Sequence, residues 1–510
     1  MSAPNSTVPR RAQNGTLLAA ILASSMTFID STVVNVALPA LQRDLHATIT
    51  DVQWVVEAYA LLLGALILVG GSIGDQFGRK RVFVAGVIVF TAASLLCGVA
   101  TFAPMLIACR ALQGVGAAFL TPGSLAIISA TFGEAERGRA IGAWSGAAAM
   151  AAAIGPAAGG WLIEHASWRS AFFVNLPFAA VVVLLSWLFV PESRDPTRSA
   201  RLDWSGALLA VAGLGGLVFG LIEWPPRGLT APAVLGALVA GTSLLALFVL
   251  VERRTSNPML SLELFQSRAF TLTNLLTLLL YGAIGVMMFL VPMNLIQVQR
   301  YTATQAGAAL LPFPVIMFAL SRWSGGLVAR VGSRLPLTVG PAIAGAGLLL
   351  FARSGLAGSY WTTVLPAMLV IGVGMAVTVA PLTTTVMGAV DVRHAGAASG
   401  INNAVARVAS LLAIAIFGVL LQGVYESRVA DGLERLSVSV ESAAVAGELR
   451  KMAGADVDRM PSLDSSRRAA VRTVIDEAFV SAFRVVIFGA ALLAMASALI
   501  GRAVPPHSVL

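Results

Sequence analysis

Three ionisable side chains stand inside otherwise apolar stretches of this sequence: Asp30, Glu57 and Arg110. An ion in an apolar surround is costly unless it meets an opposite charge or water, so such residues mark ion pairs, proton relays or ligand contacts. Asp30 and Arg110 lie deep in their runs, and their opposite charges make them natural partners. A purely structural pair would satisfy that requirement. A functional pair would do more, because burial disfavours a carboxylate's charged form and a neighbouring guanidinium favours it. Motion that changes their separation would then change the proton affinity of Asp30. Glu57 sits one turn into its run, near the expected outer interface, and completes the candidate proton-coupling set. Other chemistries lack their residues. The four histidines (His46, His165, His394 and His507) fall in expected loops or a tail, and no His/Asp/Glu cluster suited to a metal or nucleophile is present. No phosphate-cradling Gly-rich loop with a following lysine occurs, which argues against direct use of ATP. No charged rings repeat by symmetry as a channel would need. The chain therefore reads as a non-enzyme without metal or cofactor. Cys97 and Cys109 lie in apolar runs without ligand spacing and read as packing residues.

The elements that must position these groups are membrane helices. Of 510 residues 57% are hydrophobic and 12% charged, roughly half the charge usual for a soluble protein. The apolar runs are about twenty residues long and continuous, which fits spanning helices, whereas barrel strands are about ten residues with an alternating pattern. Such runs fall near 17–38, 52–73, 82–101, 104–128, 140–163, 171–190, 204–223, 232–251, 270–297, 305–328, 335–353, 361–387, 397–421 and 481–502. An even number of helices puts both termini on one side. Short loops on that side carry Arg79, Lys80, Arg81, Arg137, Arg139, Arg253, Arg254, Arg330, Arg334 and Arg393, and loops on the other side carry few cations. The positive-inside rule makes that side the cytoplasm. The net charge of +9 is then topogenic rather than a nucleic-acid footprint. Polar inner stretches at 191–203 and 252–269 set the seventh and eighth runs apart, so the chain divides into a cytoplasmic tail at 1–16, six runs at 17–190, linkers with two further runs at 191–269, six runs at 270–502 and a tail at 503–510. The two further runs read as an insertion between the sixes. Residues 422–480 form a long outer segment of mixed charge, with a solvated cap as its plain reading and 467–483 as a candidate amphipathic surface helix.

Between the second and third helices stands Gly70-Gly71-Ser72-Ile73-Gly74-Asp75-Gln76-Phe77-Gly78-Arg79-Lys80-Arg81. Glycines allow the tight reversal, and Asp75 can pair with an arginine or a helix N-terminus. Gly71, Asp75, Gly78, Arg79 and Arg81 form a candidate conformational latch. A weaker echo, Gly325 to Arg334, follows the tenth helix with Ala329 in place of the acid, as an internal repeat would produce. Helix five carries Gly155-Pro156-Ala157-Ala158-Gly159-Gly160, whose small residues permit close helix contact.

These motifs resemble the major facilitator superfamily. The Gly70–Arg81 turn is similar to its G-x-L-x-D-R-x-G-R-[KR] pattern, with Ile73 and Gln76 as departures. Arg110-Ala111-Leu112-Gln113-Gly114 resembles a pattern whose arginine is tied to proton handling. Gly155, Pro156, Gly159 and Gly160 resemble the superfamily's antiporter motif. Phe28 to Pro39, Gln53-Trp54-Val55-Val56, Trp168 to Pro177 and Gly396 to Asn403 with Arg407 are similar to the fourteen-helix drug:proton antiporters of the EmrB/QacA type. Arg407-Val408-Ala409-Ser410-Leu411 departs from the usual R-Q-x-G-G, and helix twelve carries no acid.

The resemblance implies an all-α integral membrane fold, with two six-helix bundles plus two extra central helices. It also implies proton-coupled export of lipophilic or cationic compounds across the cytoplasmic (inner) membrane by a monomer in contact with lipid. Some relatives work with a periplasmic adaptor. A cavity between bundles would be lined, by chemistry and helix position, by Met26, Tyr59, Trp144, Tyr281, Met288, Asn294, Asn402 and Arg407. Export of a lipid or specific metabolite, and uniport or import, are the alternative readings.

Overall fold

In hydrocarbon every backbone group must be paired within its own segment, so long apolar runs become helices. The computed structural model describes residues 9–194, 203–255, 258–356, 358–390, 395–436, 438, 443–460 and 465–505. The stretch 195–202, Arg393, His394 and His507 lie outside these residues. Fourteen helices are long and apolar enough to span a membrane, and no strand occurs among the described residues. They are α1 (Arg10–Asp44), α2 (Ile49–Phe77), α3 (Arg79–Gly98), α4 (Ala103–Thr131), α5 (Arg139–His165), α6 (Ser170–Phe189) and α7 (Trp204–Arg227). The others are α8 (Pro232–Glu252), α9 (Arg268–Val298), α10 (Ala303–Leu320), α11 (Arg334–Phe351), α12 (Tyr360–Gly388), α13 (Ala397–Arg435) and α14 (Ser466–Ala503).

The two halves repeat one packing device. In α3 and α4, Gly86 and Gly116 each face the other helix's backbone; in α11 and α12, Gly340 and Gly374 do the same. A Cβ at any of the four would meet main-chain atoms, so these pairs need glycine for the helices to approach so closely. The corresponding pairs stand third and fourth in each half, as an internal repeat requires.

The hairpin of α7 and α8 is more than an insertion. Leu214, Val218 and Ile222 of α7 pack in one cluster with Leu61 and Ala65 of α2 and with Leu411 and Ala415 of α13. Trp54 of α2 donates from Nε1 to Glu223 of α7 at 3.2 Å. The hairpin thus leans on both halves through α7.

The outer segment also departs from a solvated cap. Helices α13 and α14 continue beyond their uniformly apolar runs, because Tyr425, Val429 and Leu433 bury one face and Val471, Ile475 and Phe479 another. Between them, Met452, Ala453, Ala455 and Met460 are buried in the main core. The cap ties both halves together. Thr48 and Asp51 cap α2 reciprocally, and the free N–H of Ile49 donates to the carbonyl of Arg450 at 3.2 Å. Gln42 of α1 donates to the Lys451 carbonyl at 3.1 Å and accepts from Gln297 of α9 at 2.7 Å. Arg472 of α14 donates to the carbonyls of Ala453 and Ala455, each at 2.8 Å, and to that of Gln297 at 3.1 Å. Charged donors to buried acceptors each contribute roughly 1.5–3 kcal/mol. Arg472→Ala is therefore expected to speed amide exchange over 443–460 by at least tenfold while leaving α3 unchanged, as read by hydrogen–deuterium exchange in detergent.

Candidate functional site

Asp30 is fully buried and Arg110 nearly so. Arg110 donates from Nη1 to Asp30 Oδ2 at 2.6 Å and to Gln113 Oε1 at 2.7 Å, and from Nε to the Val55 carbonyl at 3.1 Å. Gln113 donates to Asp30 Oδ1 at 2.8 Å, and Asn175 approaches the same oxygen at 3.4 Å while donating to Ser94 Oγ at 3.0 Å. Ser94 in turn donates to the Phe172 carbonyl. The guanidinium lies over the Tyr59 ring, 4.2 Å from its centroid, a favourable place for a cation. The partners come from α1, α2, α3, α4 and α6, all in the first half. Each carboxylate oxygen is matched to donors and the guanidinium to acceptors, the condition for an ion pair to survive without water. Gln113 sits three residues after Arg110, so both reach Asp30 from one face of α4. Gln113 and Asn175 stood in the quoted motifs, but spacing gave no reason to aim either at Asp30, since only folding brings α4 and α6 around α1.

The small-residue motif of α5 lies where several helices converge. Gly155 and Gly159 face Thr32 and Val33 of α1, while the Pro156 carbonyl faces Gly307 and Gly160 faces the Ala303 backbone of α10. The motif therefore forms a seam between the halves as well as within one. In the Gly70–Arg81 turn, Asp75 pairs with Arg79 at 2.8 Å, and Gly78 adopts a φ of 115° that favours glycine. Gly71 has only Pro122 of α4 within van der Waals reach of a built Cβ. Arg79 donates its N–H to the Ser193 carbonyl, and Glu192 accepts from the Lys80 N–H and pairs with Arg81 at 3.7 Å. In this state the turn is tied to the end of its own half.

The expected cavity residues divide. Met26 and Tyr59 are packed inside the first half with Trp144 alongside, whose Nε1 donates to Ser24. Asn294 is buried in the π-helical turn ending α9, accepting from Gln299. Met26, Tyr59 and Asn294 thus present no open face here, because the helix faces that carry them turn into protein. Asn402 of α13 donates to Asn274 and Thr277 of α9. Arg407 lies across from Gly64 of α2, and Tyr281 and Met288 are half-buried against the second-half core. Glu57, expected near an interface, is instead fully buried, with neither carboxyl oxygen hydrogen-bonded. Among the described residues no three His, Cys, Asp or Glu side chains gather to hold a metal.

The profile of the Major Facilitator Superfamily matches residues 20–414. The chain belongs to that superfamily. It is similar to the multidrug resistance protein Stp of Mycobacterium tuberculosis, 37% identical over 83% of this chain and 79% of that one. It is also similar to the puromycin resistance protein pur8 of Streptomyces alboniger, 36% identical over 81% of this chain and 83% of that one. Among solved structures, a bacterial homologue of the lysosomal transporter Spinster shares the fold at a TM-score of 0.64, with 15% identity over 98% of this chain and 99% of that one. As a superfamily member the chain is a transporter and not an enzyme.

Arg110→Ala leaves the Asp30 charge buried without its partner, a loss of about 3–5 kcal/mol. Adding Asp30→Asn to Arg110→Ala is expected to recover part of that stability. Thermal unfolding of the two single variants and the double variant in detergent measures the coupling.

Proposed function

We propose that this protein is a proton-coupled antiporter of the EmrB/QacA type, exporting lipophilic or cationic compounds across the cytoplasmic membrane. The observation that carries the reading is the buried Asp30–Arg110 pair, built into the first half of a fourteen-helix transporter whose relatives are named for multidrug and antibiotic resistance. The two transporting halves are 17–190 and 270–502, and the arginine-rich side with both termini faces the cytoplasm. The cap then lies outside, and the cap-closed arrangement is a state shut to the exterior.

Protonation of Asp30 cancels the charge that holds the Arg110 guanidinium. Arg110 keeps Gln113, the Val55 carbonyl and the Tyr59 ring, while the bond from α4 to α1 weakens. A proton taken from outside thereby loosens one helix contact, and its release to the cytoplasm restores it. Proton movement is exchanged in this way for a change in packing. The seam of Gly155, Pro156, Gly159 and Gly160 supports this, because small residues let α5 slide on α1 and α10 without clash. The Asp75–Arg81 turn serves as the cytoplasmic latch, exchanging ties as the halves rock. Cargo occupies the space between halves, near Trp144, Tyr281, Met288, Asn402 and Arg407, with Met26, Tyr59 and Asn294 behind this lining. A monomer suffices for this cycle.

Asp30→Asn is expected to insert normally and to lose protonophore-sensitive efflux of a fluorescent lipophilic cation from energised cells. Full transport by Asp30→Asn in vesicles at several pH values would refute the role of Asp30. No efflux by wild type, correctly inserted, would point to a lipid or a specific metabolite as cargo.

A further inference from the structure

Glu57 is a carboxylic acid at 0% exposure with both oxygens unpartnered, and the Asp30 cluster does not use it. Its position follows from the helix period. Gln53, one turn earlier on α2, faces Gly418 of α13, and Gly64, two turns later, faces Arg407 and Val408. Leu61, one turn later, packs into the cluster with Leu411 and Ala415 of α13 and Leu214, Val218 and Ile222 of α7. Residues four apart share a helix face, so Glu57 looks into the seam between the halves. The antiparallel pairing of α2 and α13 sets it opposite the apolar stretch 411–415, where α7 covers the junction.

The charged groups on the neighbouring helices are committed elsewhere or lie along the seam without bonding it. Glu223 of α7 accepts from Trp54 and pairs with Arg227 at 2.7 Å. Arg110 of α4 is taken by Asp30, Gln113 and Val55. Arg407 of α13 is about two turns from the level of Glu57, roughly 10 Å along the axis. An ionised carboxylate without donors in such a seam is strongly disfavoured, whereas the neutral acid fits it.

We propose that Glu57 is a second proton-binding site, set in the seam between the halves, and that the α7–α8 hairpin is the seal that keeps this site dry while the seam is closed. The inference rests on the antiporter reading for its place in the cycle. Opening at the cap end parts α2 from α13 and wets the carboxyl, which then exchanges its proton with the exterior. Closure requires that a proton be bound, so the outer gate shuts only on a protonated carrier. The sign is fixed by linkage: the closed state holds one more proton than the open state, so closure is favoured as pH falls.

The test needs no cargo and is separable from the transport assay. Spin labels on α2 and α13 at the cap end report the closed-to-open ratio of the purified full chain in lipid nanodiscs as pH is varied. Wild type should lose closure as pH rises, by up to tenfold per pH unit where one proton is linked. Glu57→Gln, which mimics the neutral acid, should remain closed with a flat profile, and Glu57→Leu should behave alike should the amide disturb folding. Both Glu57 variants are also compared in an Asp30→Asn background, where the first-half pair no longer titrates and Glu57 alone should carry the slope. A slope that survives in both Glu57 variants in that background would overturn the proposal while leaving the antiporter reading intact. Val218→Asn puts a polar donor into the seal and should flatten the profile; an unchanged slope there would overturn the hairpin's role.

Discussion

The pairing of Asp30 with Arg110 is the constraint around which the first half is arranged. Two opposite charges survive away from water only when every donor and acceptor on them is matched. That demand recruits Gln113 from the same helix, Asn175 and Ser94 from two others, the Val55 carbonyl and the face of Tyr59. Moving any one of these helices disturbs the pair. In the proposed antiporter cycle the same coupling, read in reverse, would let a proton on Asp30 move helices.

Motion of that kind needs surfaces that slide, and glycine supplies them. Gly155, Gly159 and Gly160 bring α5 against α1 and α10, and Gly307 approaches from the other side. Side chains would interlock there and fix one arrangement. The cap does the opposite work. Backbone carbonyls of Arg450, Lys451, Ala453 and Ala455 meet donors from α1, α2 and α14, so one end of the molecule is held shut by many directional bonds that must break together. In the proposed cycle the halves would pivot where they are smooth and lock where they are polar.

Much of this was legible in the chain. The fourteen helices follow from the length of apolar runs, since hydrocarbon allows little else. Asp30 and Arg110 announced themselves because charges are rare in such runs, and opposite sign chose the partner. The ends of α13 and α14 were hidden, because Tyr425, Val429 and Leu433 bury an amphipathic face that uniform hydropathy does not register. The buried cap was hidden for the same reason: its stretch is polar by composition, and its main chain rather than its side chains makes the ties. The packing of α7 against both bundles was hidden because an apolar helix facing lipid and one facing two bundles have the same composition.

Sequence by itself determined that the chain crosses the membrane fourteen times, which side its cations prefer and which charges had to be paired. These are one-dimensional consequences of hydration cost, which acts on each residue in its own run. The tertiary structure alone decided that Gln113 and Asn175 complete the ion pair, that the cap joins both halves, and that Glu57 is buried without a partner. Each of those depends on which helix faces meet, and a face acquires its neighbours only when the whole bundle is assembled.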